Sequence, residues 1–353
     1  MGDPTILTLR KTMKVKSIQC ELLPYIERPP ITLHDMYKSA CSSDAITIET
    51  WRPKWYANIK KNKETFGNFG EKSIGKLWGK FAGLPIVVAG AGPSLQENAH
   101  ILKDRPEHIK LISCLHSFHF LEDVGARPDF YVTLDAGPVT IEEVSEGGDE
   151  SVDYWAKTKD RVLLAFIGSH PDLLAKWQGE IYFFNCPIPD DKLRADIDLL
   201  EPFHTWVSNG GNVLGACMYI AKGFLGAGPL VFIGSDFSFS NTDKTRFHAW
   251  DSKYDADLGQ FLRVSDIYGH SIKTWGSYWN FKLWFDYVTQ VLPGIYINAT
   301  EGGIFGTYRE GNIMSLLQIP LKNVFDMFNL HERLKYQSEN PTDSAVGNNV
   351  ILV

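Results

Sequence analysis

The chain has 353 residues with a formal net charge of −7, and 44% of them are hydrophobic and 22% charged. This composition is that of a globular protein with one large domain or two modest ones. The negative charge argues against nucleic acid and anionic membranes as partners. Because no apolar run reaches the length of a transmembrane helix and the N-terminus lacks a signal-peptide core, we expect a cytoplasmic protein without membrane insertion.

Residues 1–80 are predicted to form an accessory segment ahead of the main domain. Within this segment the sequence indicates one helix over 31–40 and another over 51–66. The second helix places Trp51 and Trp55 on one face, at helical spacing. We therefore expect these tryptophans to pack onto the domain that follows.

The segment 81–310 alternates short apolar runs with helical patterns. Strands are predicted over 86–89, 110–115, 130–134, 162–167, 181–184, 230–233 and 295–297. Helices are predicted over 95–103, 118–124, 172–177, 213–225 and 278–292. Unbroken apolar strands that alternate with helices are typical of a doubly wound, mostly parallel α/β sheet of Rossmann-like type. The remaining segment, 311–353, is predicted to hold one or two helices over 311–334 and a polar tail.

The first strand of this pattern runs into a glycine turn. The turn consists of Gly90, Ala91, Gly92, Pro93 and Ser94. Ser94 and Glu97 fit a capping box, which predicts a helix N-terminus directly after the turn. Such an N-terminus attracts phosphate, and glycines allow an anion to approach the backbone closely. The turn lacks the third glycine of the dinucleotide fingerprint and the lysine of a P-loop, so an ordinary strand-to-helix turn is an equally good interpretation.

Two aspartates also follow predicted strands. Asp135 closes the strand over 130–134, and Asp236 follows the strand over 230–233. In doubly wound sheets, ligands bind outside the carboxyl ends of the strands. A carboxylate there can hold a ribose hydroxyl, Mg²⁺ or a reacting hydroxyl, although either aspartate could simply cap the next turn.

Three further segments carry candidate ligand contacts. Before the helix predicted over 213–225 lies a turn of small and amide-bearing residues, namely Asn209, Gly210, Gly211 and Asn212, which could bind a phosphate or serve as a plain N-cap. The long loop over 236–251 contains His248, the best candidate for a general acid or base. After the last strand come Thr300, Glu301 and Gly302. The sequence has no zinc-ligand spacing and no Gly-x-Ser-x-Gly elbow, which disfavours a serine hydrolase.

Six motifs in this order resemble those of the Maf (motility-associated factor) glycosyltransferases and of the wider MptE-like superfamily. The motifs are GAGPSL at 90–95, RPDF at 127–130 with Asp135, GGNV at 210–213, GSDF at 234–237 with Thr245 and His248, DIYG at 266–269 with Thr274, and NATEGG at 298–303. Together they extend across most of the chain, and their shared order is a far more specific signal than any one motif.

The resemblance implies a Rossmann-like domain similar to bacterial sialyltransferases, with helical extensions at both ends. Maf proteins are thought to transfer nonulosonic acids from CMP-sugars to protein hydroxyl groups. The archaeal relative MptE instead moves diphosphate from ATP to a hydroxymethyl pterin, using Mg²⁺. The resemblance therefore implies nucleotide-dependent group transfer, and we rank glycosyl transfer first. A non-catalytic nucleotide-sugar-binding protein or a phage-associated protein is a third possibility.

These alternatives assign roles to the candidate residues. For glycosyl transfer, the turns over 90–94 and 209–212 would hold the donor, and Asp135 would orient the ribose or a metal. His248 or Asp236 would act as base on the acceptor hydroxyl or as acid on the leaving phosphate. For the diphosphokinase, Asp135, Asp236 and Glu301 would be the Mg²⁺ ligands. The expected partners are a nucleotide-activated small molecule and a hydroxyl-bearing acceptor, and assembly into a homo-oligomer is compatible with the sequence.

Overall fold

A computed structural model describes residues 33–145, 148–187, 190–203, 205–240, 261–306 and 316–339. Within this part of the chain, the strands are β1 (Ile86–Ala89), β2 (Lys110–Cys114), β3 (Phe130–Thr133), β4 (Val162–Phe166), β5 (Glu180–Phe184), β6 (Leu230–Ile233), β7 (Phe261–Ser265), β8 (Ser271–Trp275), β9 (Tyr296–Asn298) and β10 (Leu316–Gln318). All strands except β7 and β8 form one sheet in the order β10-β9-β6-β1-β2-β3-β4-β5. Every pairing in that sheet is parallel.

Helices flank the sheet. They are α1 (Leu33–Phe66), α2 (Leu95–Asn98), α3 (Phe118–Asp123), α4 (Val139–Glu142), α5 (Tyr154–Lys157), α6 (Pro171–Lys176), α7 (Asp191–Leu200), α8 (Val213–Tyr219), α9 (Gly276–Val291) and α10 (Leu321–Glu339). A single π-helical turn, Ile220–Phe224, continues α8, and α2 is followed by a 3₁₀ segment, Ala99–Asp104. Within the described part of the chain, every helix is too short or too polar to cross a lipid bilayer.

The central strands are apolar because helices or other strands cover them on all sides. All residues of β1, β3 and β6 are buried, and their sequences IVVA, FYVT and LVFI contain almost only apolar or β-branched side chains. Burial on both faces removes the alternation of polar and apolar residues that a half-exposed strand would show. The predicted α/β class and parallel sheet are therefore confirmed.

The N-terminal segment forms one helix where two were predicted. Helix α1 runs unbroken through Pro53. Its attachment to the sheet is both apolar and polar: Ile59 is fully buried in the core, and Asn62 donates from its amide to the carbonyls of Ile167 and Ser169, both at 2.9 Å. The ring of Trp55 lies edge-on to Phe166 with 6.3 Å between ring centres, as expected for packing onto the main domain.

Other elements also differ from the sequence predictions. The hairpin of β7 and β8 and the helices α4, α5 and α7 were not predicted. Residues Leu316–Gln318 were predicted to be helical but form β10, which pairs with β9 at the edge of the sheet. This prediction was wrong because a three-residue edge strand has no periodicity of its own, and only pairing with a neighbour stabilises it.

The order in which the chain adds strands to the sheet reverses once, although all of these strands run parallel. From β1 the chain builds outward through β2, β3, β4 and β5, and it then returns to place β6 on the other side of β1. The carboxyl ends of β1 and β6 therefore flank the point at which the winding of the sheet changes direction. In open α/β sheets, a crevice for ligands opens at this point.

Candidate active site

A cleft of about 350 Å³ lies at this reversal point. It is lined by residues that follow β1, β2, β3 and β6, by the first turn of α8, and by two aromatic residues of α9. The lining consists of Gly90, Ala91, Gly92, Cys114, Leu115, His116, Val132, Thr133, Asp135, Glu143, Gly211, Asn212, Val213, Leu214, Gly234, Ser235, Asp236, Phe237, Tyr278 and Phe281. Its volume and its mixture of apolar walls with a few polar groups are typical of a small-molecule site.

The glycine turn after β1 uses its own N–H groups within the protein. Gly90 donates to the carbonyl of Ile233 and Gly92 donates to that of Gly234, both at 2.9 Å. The N–H of Ser94 donates to the carboxylate of Asp236 at 3.2 Å. Since proline has no N–H, these bonds occupy three of the four N–H groups in the turn. The turn is thus joined to the end of β6, and little of its backbone is left to hold a phosphate.

Close packing explains why this turn needs glycine. A Cβ atom on Gly90 would lie 2.3 Å from the carbonyl oxygen of Gly234. A Cβ on Gly92 would lie 2.1 Å from Oδ2 of Asp236. The neighbouring turn after β6 already fills the space that a side chain would take, so the glycines reflect the approach of two turns of the protein.

The hydroxyl of Ser94 contacts Asp236 where a capping box was predicted. Its Oγ donates to Oδ2 of Asp236 at 2.8 Å, and it makes no capping bond to α2. The capping-box prediction was therefore wrong. The carboxylate of Asp236 instead occupies the N-terminus of α2, where the helix dipole favours a negative charge. We call this Ser94–Asp236 contact the clasp.

Asp236 itself is buried, with 5% of its surface exposed, and it lines the cleft. Burial raises the pKa of this carboxyl to about 7, although the hydrogen bonds from Ser94 act in the opposite direction. A group with this pKa exists in both protonation states near neutral pH, which suits a general acid or base. Because a carboxylate has about four lone-pair positions, Asp236 can still accept a further hydrogen bond.

Backbone strain is concentrated around the clasp. Phe237, directly after Asp236, has a φ of 51°, and Glu301 has a φ of 59°. Few residues other than glycine adopt this left-handed conformation, and it persists only where surrounding contacts impose it. Such outliers cluster at functional sites, and Phe237 lines the cleft, so its conformation supports a ligand site here.

The turn before α8 is built differently from the turn after β1. Asn212 caps the helix, since its Oδ1 accepts from the N–H of Gly215 at 2.9 Å. Asn209 accepts from the N–H of Gly211 at 2.8 Å. For the N–H groups of Val213 and Leu214, by contrast, no acceptor is present within the described residues. Both residues line the cleft, so this turn offers the cleft two backbone donors.

The segment after β9 supports the clasp from behind and does not line the cleft. The hydroxyl of Thr300 accepts from the N–H of Ser235 at 3.2 Å. Oε1 of Glu301 accepts from the N–H of Leu321 at 3.0 Å and so caps α10. A Cβ on Gly302 would lie 3.3 Å from that of Ser94. These contacts give Thr300, Glu301 and Gly302 structural partners.

A histidine–glutamate pair in the cleft was missed from the sequence. Nδ1 of His116 lies 2.8 Å from Oε1 of Glu143, and the two side chains are 8% and 10% exposed. His116 follows β2 at the same sheet edge as the two aspartates, so the rule that polar residues matter at strand carboxyl ends could have found it. Glu143 comes from the end of α4, and no sequence signal pairs it with His116.

The structure brings together only part of the predicted site. Six of the predicted residues line the cleft, namely Gly90, Gly92, Asp135, Gly211, Asn212 and Asp236. Others lie outside its lining, namely Pro93, Ser94, Asn209, Gly210, Thr300, Glu301 and Gly302. His248 lies outside the described residues. Among the described residues, no three His, Cys, Asp or Glu side chains group as metal ligands, so the proposed Mg²⁺ set of Asp135, Asp236 and Glu301 does not form one cluster.

These features define the chain as an α/β protein with a ligand cleft at the reversal point of a doubly wound parallel sheet. The chain belongs to the MptE-like family. Its residues 54–242 match the family model described as 6-hydroxymethylpterin diphosphokinase MptE-like. No curated protein matches the sequence.

Among solved structures, the chain is similar to the Maf glycosyltransferase from Magnetospirillum magneticum AMB-1. The two share 17% sequence identity with a TM-score of 0.54, over 76% of this chain and 38% of that protein. The likeness shows a shared fold, and the chain spans about two fifths of the length of the Maf protein. The resemblance predicted from the six motifs is confirmed at the level of family and fold.

Proposed function

We propose that this protein is a nucleotide-dependent transferase that moves a sugar from a nucleotide-activated donor to a hydroxyl acceptor. The donor class that fits the family resemblance is a CMP-linked nonulosonic acid. The observation that carries the proposal is the cleft, which is lined both by the residues of the α8 turn and by a buried carboxyl with a pKa of about 7. The backbone donors of that turn can bind a phosphate, and the carboxyl can move a proton.

In this proposal the α8 turn holds the phosphate of the donor. The N–H groups of Val213 and Leu214 are directed by the helix and lie at its positive end. Asp135, at the mouth of the cleft and exposed to solvent, is placed to accept from a ribose hydroxyl. The glycine turn over 90–94 then shapes the floor of the cleft, and its bonds to β6 hold that floor in place.

Asp236 serves as the base in the same proposal. Its carboxylate takes the proton of the acceptor hydroxyl while the acceptor oxygen bonds to the sugar. The bond between the sugar and the phosphate breaks, and its electron pair leaves with the nucleotide. Ser94 holds the carboxylate at a fixed angle, so the base is oriented before the substrate arrives. His116 and Glu143 supply a second polar pair in the same cleft.

A second candidate is transfer of diphosphate from ATP to a hydroxymethyl pterin. The description of the matching family favours it. This reaction also begins with a hydroxyl acceptor, so the role of Asp236 would be the same. Mg²⁺ in such reactions is usually held by one or two carboxylates together with the phosphates of the substrate, and Asp135 and Asp236, which both line the cleft, would be the residues to hold it.

A ligand panel tests these candidates directly. The melting temperature of the purified protein would be measured with CMP, CDP, UDP, GDP and ATP, each with and without Mg²⁺, because a ligand that binds the native state raises it. A shift with CMP that does not need metal supports sugar transfer, whereas a shift only with ATP and Mg²⁺ supports diphosphate transfer. Transfer from the matching donor would then be measured through the release of the nucleotide. If no nucleotide shifts the melting temperature or is released, the proposed function is wrong.

A further inference from the structure

One wall of the cleft is an aromatic face of helix α9. Tyr278, Phe281 and Trp284 follow one another at intervals of three residues, which places them on one side of the helix. Tyr278 and Phe281 line the cleft, and both are partly exposed. Their ring centres lie 6.4 Å apart with 40° between the ring planes. The cleft therefore has two neighbouring rings on one wall.

Trp284 fixes the position of this face. A Cβ on Gly210 would lie 2.2 Å from Cδ2 of Trp284, so the indole packs directly on the backbone of the turn before α8. A Cβ on Gly215 would lie 3.3 Å from Cζ3 of the same ring. Because Tyr278 and Phe281 belong to the same helix as Trp284, this packing also fixes their position beside the turn before α8.

A third phenyl ring in the cleft lining, that of Phe237, is engaged in the core, and Tyr278 itself packs on Trp275 with 5.2 Å between ring centres while remaining partly exposed. The ring of Phe237 lies 5.3 Å from that of Phe285 and 5.5 Å from that of Phe305, centre to centre. Leu115 and Val132, which lie at the ends of their strands, are aliphatic. A planar ligand that enters the cleft therefore meets its aromatic partners on α9.

We propose that Tyr278 and Phe281 form a stacking surface for the planar aromatic ring of the ligand. This inference rests on the proposed function and deepens it, because it places the base of a nucleotide on α9 and the phosphate on the α8 turn. Aromatic side chains bind nucleobases through their π-faces, and every base has such a face. A pterin is also planar and aromatic, so the same surface suits either candidate reaction.

Ligands with and without a planar ring separate stacking from phosphate binding. Dissociation constants for CMP, ATP, 6-hydroxymethylpterin and ribose 5-phosphate would be measured by calorimetry on the full chain. Phe281→Leu and Tyr278→Leu are each expected to weaken the planar ligands about 5- to 100-fold, and to change ribose 5-phosphate less than about twofold. Tyr278→Phe, which keeps a ring, should bind at least about five times more tightly than Tyr278→Leu.

Tyr287→Leu provides the matched control on the same helix. Tyr287 is 39% exposed and does not line the cleft, so its replacement should leave every dissociation constant unchanged. Melting curves of all variants establish that they fold.

The proposal is overturned if folded Phe281→Leu and Tyr278→Leu bind the planar ligands as the wild type does. It is also overturned if none of the three planar ligands binds the wild type more tightly than ribose 5-phosphate. If the variants lose planar ligands but the wild type transfers neither sugar nor diphosphate, the stacking surface stands and the proposed function fails. Which planar ligand binds most tightly decides between nucleobase and pterin.

Discussion

Two turns border the cleft, and in the sequence they resemble each other. Each contains glycines, and each leads into a helix that begins at an Asn or Ser. In the turn over 90–94, three N–H groups donate hydrogen bonds to the carbonyls of Ile233 and Gly234 and to the carboxylate of Asp236. The turn over 209–212 leaves the N–H groups of Val213 and Leu214 without an acceptor in the described protein. Two glycine turns with similar sequences therefore differ in the backbone donors that they leave available for a ligand.

The largest effect is expected from the carboxylate that fills the first turn. Asp236→Asn keeps the shape of the side chain but removes the proton acceptor, so the turnover number should fall about 10²- to 10⁴-fold. Release of nucleotide from the donor measures this loss. Asp326→Asn, an exposed aspartate of α10, is the control and should retain full activity. Full activity of Asp236→Asn would remove Asp236 from the mechanism.

The same variant tests the origin of the raised pKa. Because the folded pKa of about 7 lies above the ordinary value near 3.9, the folded state holds this proton more tightly than the unfolded chain does. The contribution to stability is complete below about pH 4 and is lost as the pH rises through about 7. The wild type should therefore lose stability between pH 5 and 8 relative to Asp236→Asn. Parallel urea titrations at both pH values would measure this, and identical pH dependence would contradict it.

The second turn can be tested by removing one backbone donor. Val213→Pro deletes an N–H at the first helical position, where proline is tolerated, and Asn212 before it is already extended, with φ −151° and ψ 161°. Nucleotide affinity should fall about 10- to 100-fold, the loss expected for hydrogen bonds to a charged group. Calorimetry measures the dissociation constant.

Asp191→Pro is the matched control for this substitution. Asp191 is the first residue of α7 and does not line the cleft. Nucleotide affinity should be unchanged in this variant. Equal effects of the two prolines, or none from Val213→Pro, would show that the α8 turn does not hold the phosphate.

The packing between the first turn and the end of β6 predicts a loss of stability. Gly92→Ala places a methyl group 2.1 Å from Oδ2 of Asp236, so the clasp must open or shift. We expect a loss of about 1–3 kcal/mol in the free energy of unfolding. Gly276→Ala is the control, because a Cβ there has no atom within 4 Å. Equilibrium unfolding in urea compares the two, and equal stabilities would contradict the close packing.

The smallest effect is expected at Ser94. Its hydrogen bonds lower the pKa of Asp236, so Ser94→Ala should raise that pKa further. Since the base is active when deprotonated, the rising limb of the pH–rate profile should move to higher pH. Ser151→Ala removes a similar hydroxyl–carboxylate bond of 2.7 Å to the exposed Asp149, and it should leave the profile unchanged. A profile that does not move in Ser94→Ala would show that Asp236 does not control it.

The sequence predicts the sheet well because its strands are buried on both faces. The runs at 86–89 and 230–233 contain apolar residues only, and four of the six residues at 110–115 are apolar, a pattern typical of buried strands. The hairpin of β7 and β8 is different. In β8, buried residues alternate with more exposed ones, but one of the buried residues is the polar Thr274, so the apolar pattern of SIKTW is too weak to predict a strand without its partner β7.

The site is less predictable than the fold for a related reason. Sheet topology places Asp135 and Asp236 at one edge, and strand ends reveal this from the sequence. The partners of Ser94 and His116 come from other elements of the fold, and no local pattern specifies them. Glu301 shows the converse, because its motif suggested a ligand contact and no sequence pattern predicted that its carboxylate also caps α10.

The clasp joins residues that are 142 positions apart, so it can form only after most of the sheet has been synthesised. Strands β1 to β5 follow one another in both sequence and space, so they can pair while the ribosome is still making the second half. Until Leu230–Ile233 emerges, β1 is an open edge with the apolar sequence IVVA. Unpaired apolar edges promote aggregation, so the interval before β6 docks is the vulnerable stage of synthesis. Docking of β6 closes that edge and brings Asp236 to the cleft, whose aromatic wall on α9 is synthesised afterwards.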